Sequence, residues 1–262
     1  KGCRTGNLRK DIMGSRSQYD TFISIFSPDG RLYQVEYAFK AIKGPALTSV
    51  GIRGEKCSVV VTQRKVPDKL LRAESVTHVF NITKTLGCVI TGRIADGKAF
   101  LYRARQEASD FWYKNGYDMP PSALAKRLAD IAQLTTQYIG SRPMGIAIIL
   151  VGMELEDDGT YKPKVYKFDP AGSYLGWFAT ACGQKETEAI NFLEKKHRGG
   201  KMENLSNDDT VMLGISTLQS VLATDFKAAE LEVGITSEDD RTFRLLTEAD
   251  IDKFLTAIAE KD

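Results

Sequence analysis

The chain predicts a mixed α/β fold of two mainly antiparallel sheets with helices outside, and three observations lead there. Strand-like apolar runs come in two hairpin-linked groups, helical periodicities also come in two groups, and the two kinds alternate as blocks rather than one by one. A regular βαβαβ order, the mark of a single parallel sheet, is absent. At 262 residues with 42% apolar content, one large domain with a substantial core is expected over residues 19–262, behind a basic arm over 1–18.

The arm carries Lys1, Arg4, Arg9, Lys10 and Arg16 against Asp11, with few apolar groups, so it is expected not to pack. It lacks an h-region and an evident apolar helical face, which disfavours secretory and mitochondrial targeting; Met13 is an alternative start. The block from Tyr19 to Ile42 then reads as a short strand, a tight turn and a helix. Ser27-Pro28-Asp29-Gly30 fits a type I turn. Leu32, Val35, Phe39 and Ile42 recur at spacings of three, four and three, forming one apolar stripe opposite Gln34, Glu36, Lys40 and Lys43.

Strands follow at Ser49 to Arg53 and Cys57 to Thr62, joined across Gly54-Glu55, and at Leu86 to Thr91. A helix from Ile94 to Asn115 precedes a second, entered through Pro120-Pro121, with Leu124, Leu128, Ile131, Leu134 and Tyr138 on one face until Gly140. Strands return at Gly145 to Met153, Lys164 to Asp169 and Ser173 to Thr180. Helices are expected again at Lys185 to His197 and Asp208 to Thr224, and short strands at Leu231 to Thr236 and Thr242 to Leu246. Thr247-Glu248-Ala249-Asp250 reads as a capping-box start for a final helix.

A net charge of +2 from 36 basic and 34 acidic side chains gives no global basic excess for nucleic acid. No apolar stretch approaches the length needed to span a bilayer. Cys3, Cys57, Cys88 and Cys182 lie far apart without a C-x-x-C pair, which fits reduced core thiols, and the two histidines, His78 and His197, with no carboxylate loop, supply no metal set or cofactor site. His197, in the run Lys195-Lys196-His197-Arg198, reads as a solvated helix end. Gly92 to Ala99 has the G-x-x-x-x-G-K frame of a phosphate loop, but Ala99 stands where Ser or Thr should hold Mg²⁺, so nucleotide binding is the weaker reading.

The Tyr19 to Ile42 block, VPDKLL at Val66 to Leu71, Arg142-Pro143-Met144-Gly145 and Asp169-Pro170-Ala171-Gly172 together resemble the proteasome alpha-type subunits, which form the outer seven-membered rings of the 20S core particle. The wording is most similar to the type-6 class, at the first position in systematic ring nomenclature. The resemblance implies the four-layer αββα sandwich of N-terminal nucleophile hydrolases with an added opening helix. It implies a non-catalytic structural and gating role in a complex that carries out ubiquitin-dependent and ATP-independent proteolysis in cytoplasm and nucleus. The catalytic relatives use an N-terminal threonine whose free amine is the base; here no Gly-Thr junction introduces Thr48, and an arm and helix precede it.

The same resemblance places a gate cluster on Tyr19, Asp20, Pro28 and Tyr37, ring contacts on the helix bearing Leu32, Val35, Phe39 and Ile42, and, between neighbouring alpha subunits, an activator-tail pocket at His78. Relatives carry a lysine where His78 stands, so weaker or different carboxylate binding is expected there, with a plain surface residue on an edge strand as the alternative. Implied partners are other alpha subunits, beta-ring subunits and the C-terminal tails of activators, with no nucleic acid, membrane or cofactor. A free-standing hydrolase with an unrecognised nucleophile is the rival reading.

Overall fold

The computed structural model describes residues 19–260, so the predicted arm over 1–18 lies outside the described residues. Among the described residues ten strands form two five-stranded sheets, antiparallel throughout. The first sheet contains β1 (Thr48–Arg53), β2 (Cys57–Gln63), β8 (Ala179–Gly183), β9 (Leu231–Ser237) and β10 (Arg244–Leu245), in the order β10-β9-β2-β1-β8. The second runs β3-β4-β5-β6-β7, made of β3 (Val79–Asn81), β4 (Leu86–Gly92), β5 (Ile146–Leu155), β6 (Tyr161–Phe168) and β7 (Tyr174–Gly176). Six helices accompany them among the described residues: α1 (Tyr33–Lys43), α2 (Ile94–Asn115), α3 (Pro121–Gln137), α4 (Glu186–His197), α5 (Asn207–Leu222) and α6 (Glu248–Ala259).

Strand alternation distributes the apolar side chains into three layers. On the first sheet, Cys57, Val59 and Val61 face outward and pack with Leu193, Ile215, Leu218 and Ile251 of α4, α5 and α6. On the second, Leu86, Cys88, Ile90, Ile146, Ile148 and Leu150 face outward to Phe100, Ala104, Leu124 and Leu128 of α2 and α3. The intervening residues, Val60, Val89, Ala147, Ile149, Val151, Cys182 and Phe243, close the space between the sheets. Both faces of the central strands are therefore dry, which is why their sequences read as continuous apolar runs. The result is the expected helix–sheet–sheet–helix order. No helix among the described residues is long and apolar enough to cross a membrane.

Local chemistry explains most boundaries. The Gly116 backbone, left-handed at φ 77°, ends α2, and Pro121 opens α3 at the position where its missing N–H costs nothing. Thr247 caps α6 by accepting from the Asp250 N–H and donating to its carboxylate. The Asp169 carboxylate accepts from the N–H groups of Ala171 and Ser173 to close the turn between β6 and β7. Cys57, Cys88 and Cys182 are free and buried; burial pushes their thiols up to about 11, about 12 and about 11 respectively.

Four expectations are corrected. The stretch 21–26 forms no strand: it pairs with no described strand and leaves Phe22, Ile25 and Phe26 exposed. Ser173 to Thr180 is two strands rather than one, because the Trp177 N–H bonds to Val165 of one sheet while the Phe178 carbonyl accepts from Arg53 of the other. On α3, Leu124 and Leu128 are core, whereas Leu134 and Tyr138 are exposed and the buried face drifts to Ala125, Ala129, Ala132 and Thr136. On α1 the buried residues are Tyr33, Ala38 and Ile42; Leu32 is the N-cap, Val35 is half-buried and Phe39 is exposed. Ile42 alone of the predicted stripe enters the core, where it closes one end of the layer between the sheets.

Candidate functional site

Two constellations stand out, one at the opening helix and one at a cleft beside it. The turn at Ser27 to Gly30 forms as expected: the Gly30 N–H donates to the Ser27 carbonyl at 2.8 Å, Gly30 has φ 72°, and the buried Ser27 hydroxyl accepts from the Arg31 N–H at 3.1 Å. Pro28 is exposed at its second position. The reversed chain enters α1, which reaches back to the start of the block through two side chains one turn apart. The Tyr37 hydroxyl donates to Asp20 Oδ1 at 2.6 Å, and Gln34 Nε2 donates to the Asp20 carbonyl. The bond to Asp20 pushes the Tyr37 phenol up from its ordinary value. Among the described residues, Asp20 and Tyr37 are thus joined; Tyr19 is half-buried beside them.

The cleft, of about 1220 Å³, opens between the start of β1, the segment after β2 and the start of α2. Leu47, Val66, Leu71, Ile94, Leu222 and Phe226 give it apolar walls, and Lys65, Arg93 and Lys98 are exposed cations on it, against one acid, Glu230. His78 lies in this wall but is not a surface residue: it is 8% exposed, immediately before the edge strand β3. Burial pushes its imidazole below the ordinary value, with Glu232 acting in the opposite sense and Lys98 adding to the depression. Glu232 Oε2 accepts from the N–H groups of His78 and Val79 at 2.7 and 3.3 Å, which pins the edge of one sheet to a strand of the other. Arg64 extends that link, donating to the carbonyls of Ala73 and Val76 and facing Glu232 and Glu248.

A third contact is invisible in the sequence although each partner lies in a recognisable motif. Arg142 forms a two-pronged hydrogen bond to Asp96, each prong 2.7 Å, and Asp96 also accepts from the Gly145 N–H. It joins the strand-to-helix corner after Gly92 to the Arg142–Gly145 segment across 46 positions, a distance at which no local pattern reports contact. The guanidinium holds the Asp96 carboxyl below its ordinary 3.8. Because the folded value is lowered, this stabilisation is present above that ordinary value and is lost as pH falls through the folded one. Asp96→Asn is therefore expected to destabilise at neutral pH by about 2 kcal/mol and to flatten stability loss in acid, as read by denaturant unfolding at several pH values.

Nothing at these sites forms a nucleophilic machine. Thr48, the first residue of β1, is fully buried; its nitrogen is an amide to Leu47 that donates to Gln63 Oε1 at 3.2 Å, so it is not the free amine a threonine nucleophile needs. His197 is not simply a solvated helix end, since its ring stacks on Phe178 at 5.0 Å. The G-x-x-x-x-G-K frame makes no phosphate loop: only Arg93 separates β4 from α2, and Gly97 and Lys98 are already helical. Among the described residues no His, Cys, Asp and Glu group could hold a metal ion.

The model of the family described as proteasome subunit matches residues 44–236, and that of the N-terminal signature of the A-class proteasome subunits matches residues 19–41. The chain belongs to the proteasome subunit family. The signature covers the turn and α1, the elements that carry the Asp20–Tyr37 pair, and marks the alpha type. A probable alpha type-1 proteasome subunit of Schizosaccharomyces pombe is 51% identical over 95% of the chain and 100% of its own length. The alpha type-6 proteasome subunit of Caenorhabditis elegans is 41% identical over 95% and 99%, and the alpha proteasome subunit of Methanosarcina acetivorans 34% identical over 95% and 97%. Alpha-type subunits are the non-catalytic, structural members of the outer rings of the 20S proteasome, built with other alpha and with beta subunits, and the chain is one of them. The relatives carry both type-1 and type-6 names, so the alpha type is shared and the number is not.

Proposed function

We propose that this alpha-type chain both holds the substrate gate and docks activators, serving ubiquitin-dependent and ATP-independent proteolysis in cytoplasm and nucleus. We also infer that it takes the first ring position, which would reconcile the two numbers borne by its relatives, type-6 being the class at that position. The observation that carries the gating reading is the Tyr37–Asp20 hydrogen bond, which fastens the end of the N-terminal segment to α1 where the chain reverses at Pro28. A phenol, a carboxylate and a proline in that arrangement offer neighbouring subunits a flat ring and a charged acceptor. Tyr19 stands next to the pair in position to extend it. Phe39, exposed on α1, and the half-buried Val35 are suited to a ring neighbour, with Leu32 at the helix entry.

The docking reading rests on the cleft. Its apolar walls and exposed Lys65, Arg93 and Lys98 suit an apolar peptide ending in a carboxylate. His78 then serves as a buried part of the wall, and a lysine substituted there would have to bury an ammonium group, so His78→Lys tests stability before it tests docking. The gate is tested directly by Tyr37→Phe in assembled particles. Activator-stimulated peptide hydrolysis is expected to fall roughly fivefold, the effect of about 1 kcal/mol on an open–closed equilibrium, with unstimulated hydrolysis unchanged. Equal stimulation of wild-type and variant particles would contradict the gating role.

A further inference from the structure

Buried at the edge of the docking cleft, His78 is surrounded by charge that leaves its own unbalanced. Its Nδ1 is buried and has no hydrogen-bond partner among the described residues, while the residue as a whole is more than nine-tenths buried. The carboxylate that acts on it, Glu232 on β9, is already engaged: one oxygen accepts two backbone N–H groups, and the other faces Arg64, just past the end of β2, at 3.9 Å. From α2, Lys98 adds positive charge, and Lys65 and Arg93 lie on the same cleft. Glu230, the one acid on the wall, is tied to the Lys227 N–H. An imidazolium here would therefore meet Lys98, in a cleft that Arg64, Lys65 and Arg93 also line, with the Ile90 backbone and a carboxylate that is largely spent as its favourable contacts. An anion entering the cleft changes that balance, since it brings the negative charge that the walls lack.

We propose that docking of a carboxylate-terminated peptide in this cleft takes up a proton at His78, so that docking tightens as the pH falls below neutral. The inference rests on the docking reading above and adds its regulation. The proton comes from solvent, and no other group need change state, because the peptide carboxylate stays ionised throughout the range. The depressed basicity of His78 in the empty cleft agrees with this direction: the free protein keeps the imidazole neutral near pH 7, and the occupied cleft charges it.

The test uses the full chain and a short leucine-rich peptide with a free C-terminal carboxylate, with its C-terminal amide as control. Between about pH 7.5 and about pH 5.5 the wild-type affinity is expected to rise about fivefold and that of His78→Asn to change less than about twofold. Only two histidines are present, so the imidazole resonance of His78 can be assigned with His197→Asn and followed by NMR without altering the cleft. Its titration midpoint is expected to move up by about one pH unit when peptide is added. An identical pH response in His78→Asn, or a midpoint that peptide does not move, overturns the proton uptake and leaves docking standing. Failure of the peptide to bind at either pH, or equal binding of the amide, overturns docking itself and the inference with it.

Discussion

Phe243→Ala is expected to lower the stability of the folded chain by about 4 kcal/mol, a loss on the scale of removing a fully buried aromatic ring from a core that cannot collapse around the gap. The ring is 1% exposed and lies in the layer between the sheets. It occupies a slot that two glycines leave open, Gly87 on β4 and Gly234 on β9, where an added Cβ would stand 2.2 and 2.4 Å from ring atoms. Phe243 is also held by its backbone, donating to the Lys84 carbonyl at 2.7 Å and accepting from Asn81 Nδ2 at 3.1 Å, so the ring cannot follow a retreating neighbour. The measurement is a denaturant midpoint compared with that of Phe39→Ala. Phe39 is 39% exposed, and its loss should leave the isolated chain near wild-type stability while lowering incorporation into rings, if the uncovered face of α1 meets a neighbour. Equal destabilisation by the two substitutions would contradict this division between core and ring surface.

Gly92→Ala is expected to cost more than about 3 kcal/mol, from left-handed backbone strain and a clash that no rotamer relieves. Gly92 sits at φ 120°, and a Cβ there would lie 2.2 Å from the Gly145 carbonyl oxygen, itself the acceptor of the Arg93 N–H at 2.9 Å. Backbone meets backbone at this corner, and the Asp96–Arg142 pair braces it from outside. The matched control is Gly116→Ala, also at positive φ but with nothing within 4 Å of the added Cβ, for which only the conformational penalty of about 1 kcal/mol applies. Similar unfolding midpoints for the two variants would show that close approach is not what fixes glycine at the corner.

The long elements were legible because periodicity and punctuation agreed. The predicted limits of α2, Ile94 to Asn115, match the structure, since a strand-ending glycine precedes the helix and Gly116 stops it. Pro120-Pro121 and Thr247 marked helix starts for equally local reasons. What failed was whatever depends on a distant partner. Ser173 to Thr180 alternates like one strand, and nothing within it says that Trp177 and Phe178 bond to different sheets. Spacing alone defines the stripe on α1 and does not select Tyr33, which is buried, or Ala38, small enough for close approach. At the sites, Asp20 and Tyr37 were named by resemblance and the structure joins them, whereas the cations of the cleft and the Asp96–Arg142 pair come together only in three dimensions.

The same contrast bears on chemistry. A threonine at the head of a buried strand is the residue a hydrolase reading would select, and Thr48 stands there. Its amide hydrogen bond to Gln63 and its fully buried side chain, which accepts from the Lys185 N–H, make it a strand anchor. The surfaces that remain uncommitted are the ones suited to partners: Phe22, Ile25 and Phe26, the outer face of α1 and the basic cleft.

Native mass spectrometry of the particle that contains this chain tests the account most directly. A mixed assembly is predicted in which the chain occupies one position of an outer ring beside other alpha subunits and above beta subunits. Recovery of the chain only as a free monomer, or as an oligomer of itself without other proteasome subunits, would contradict it.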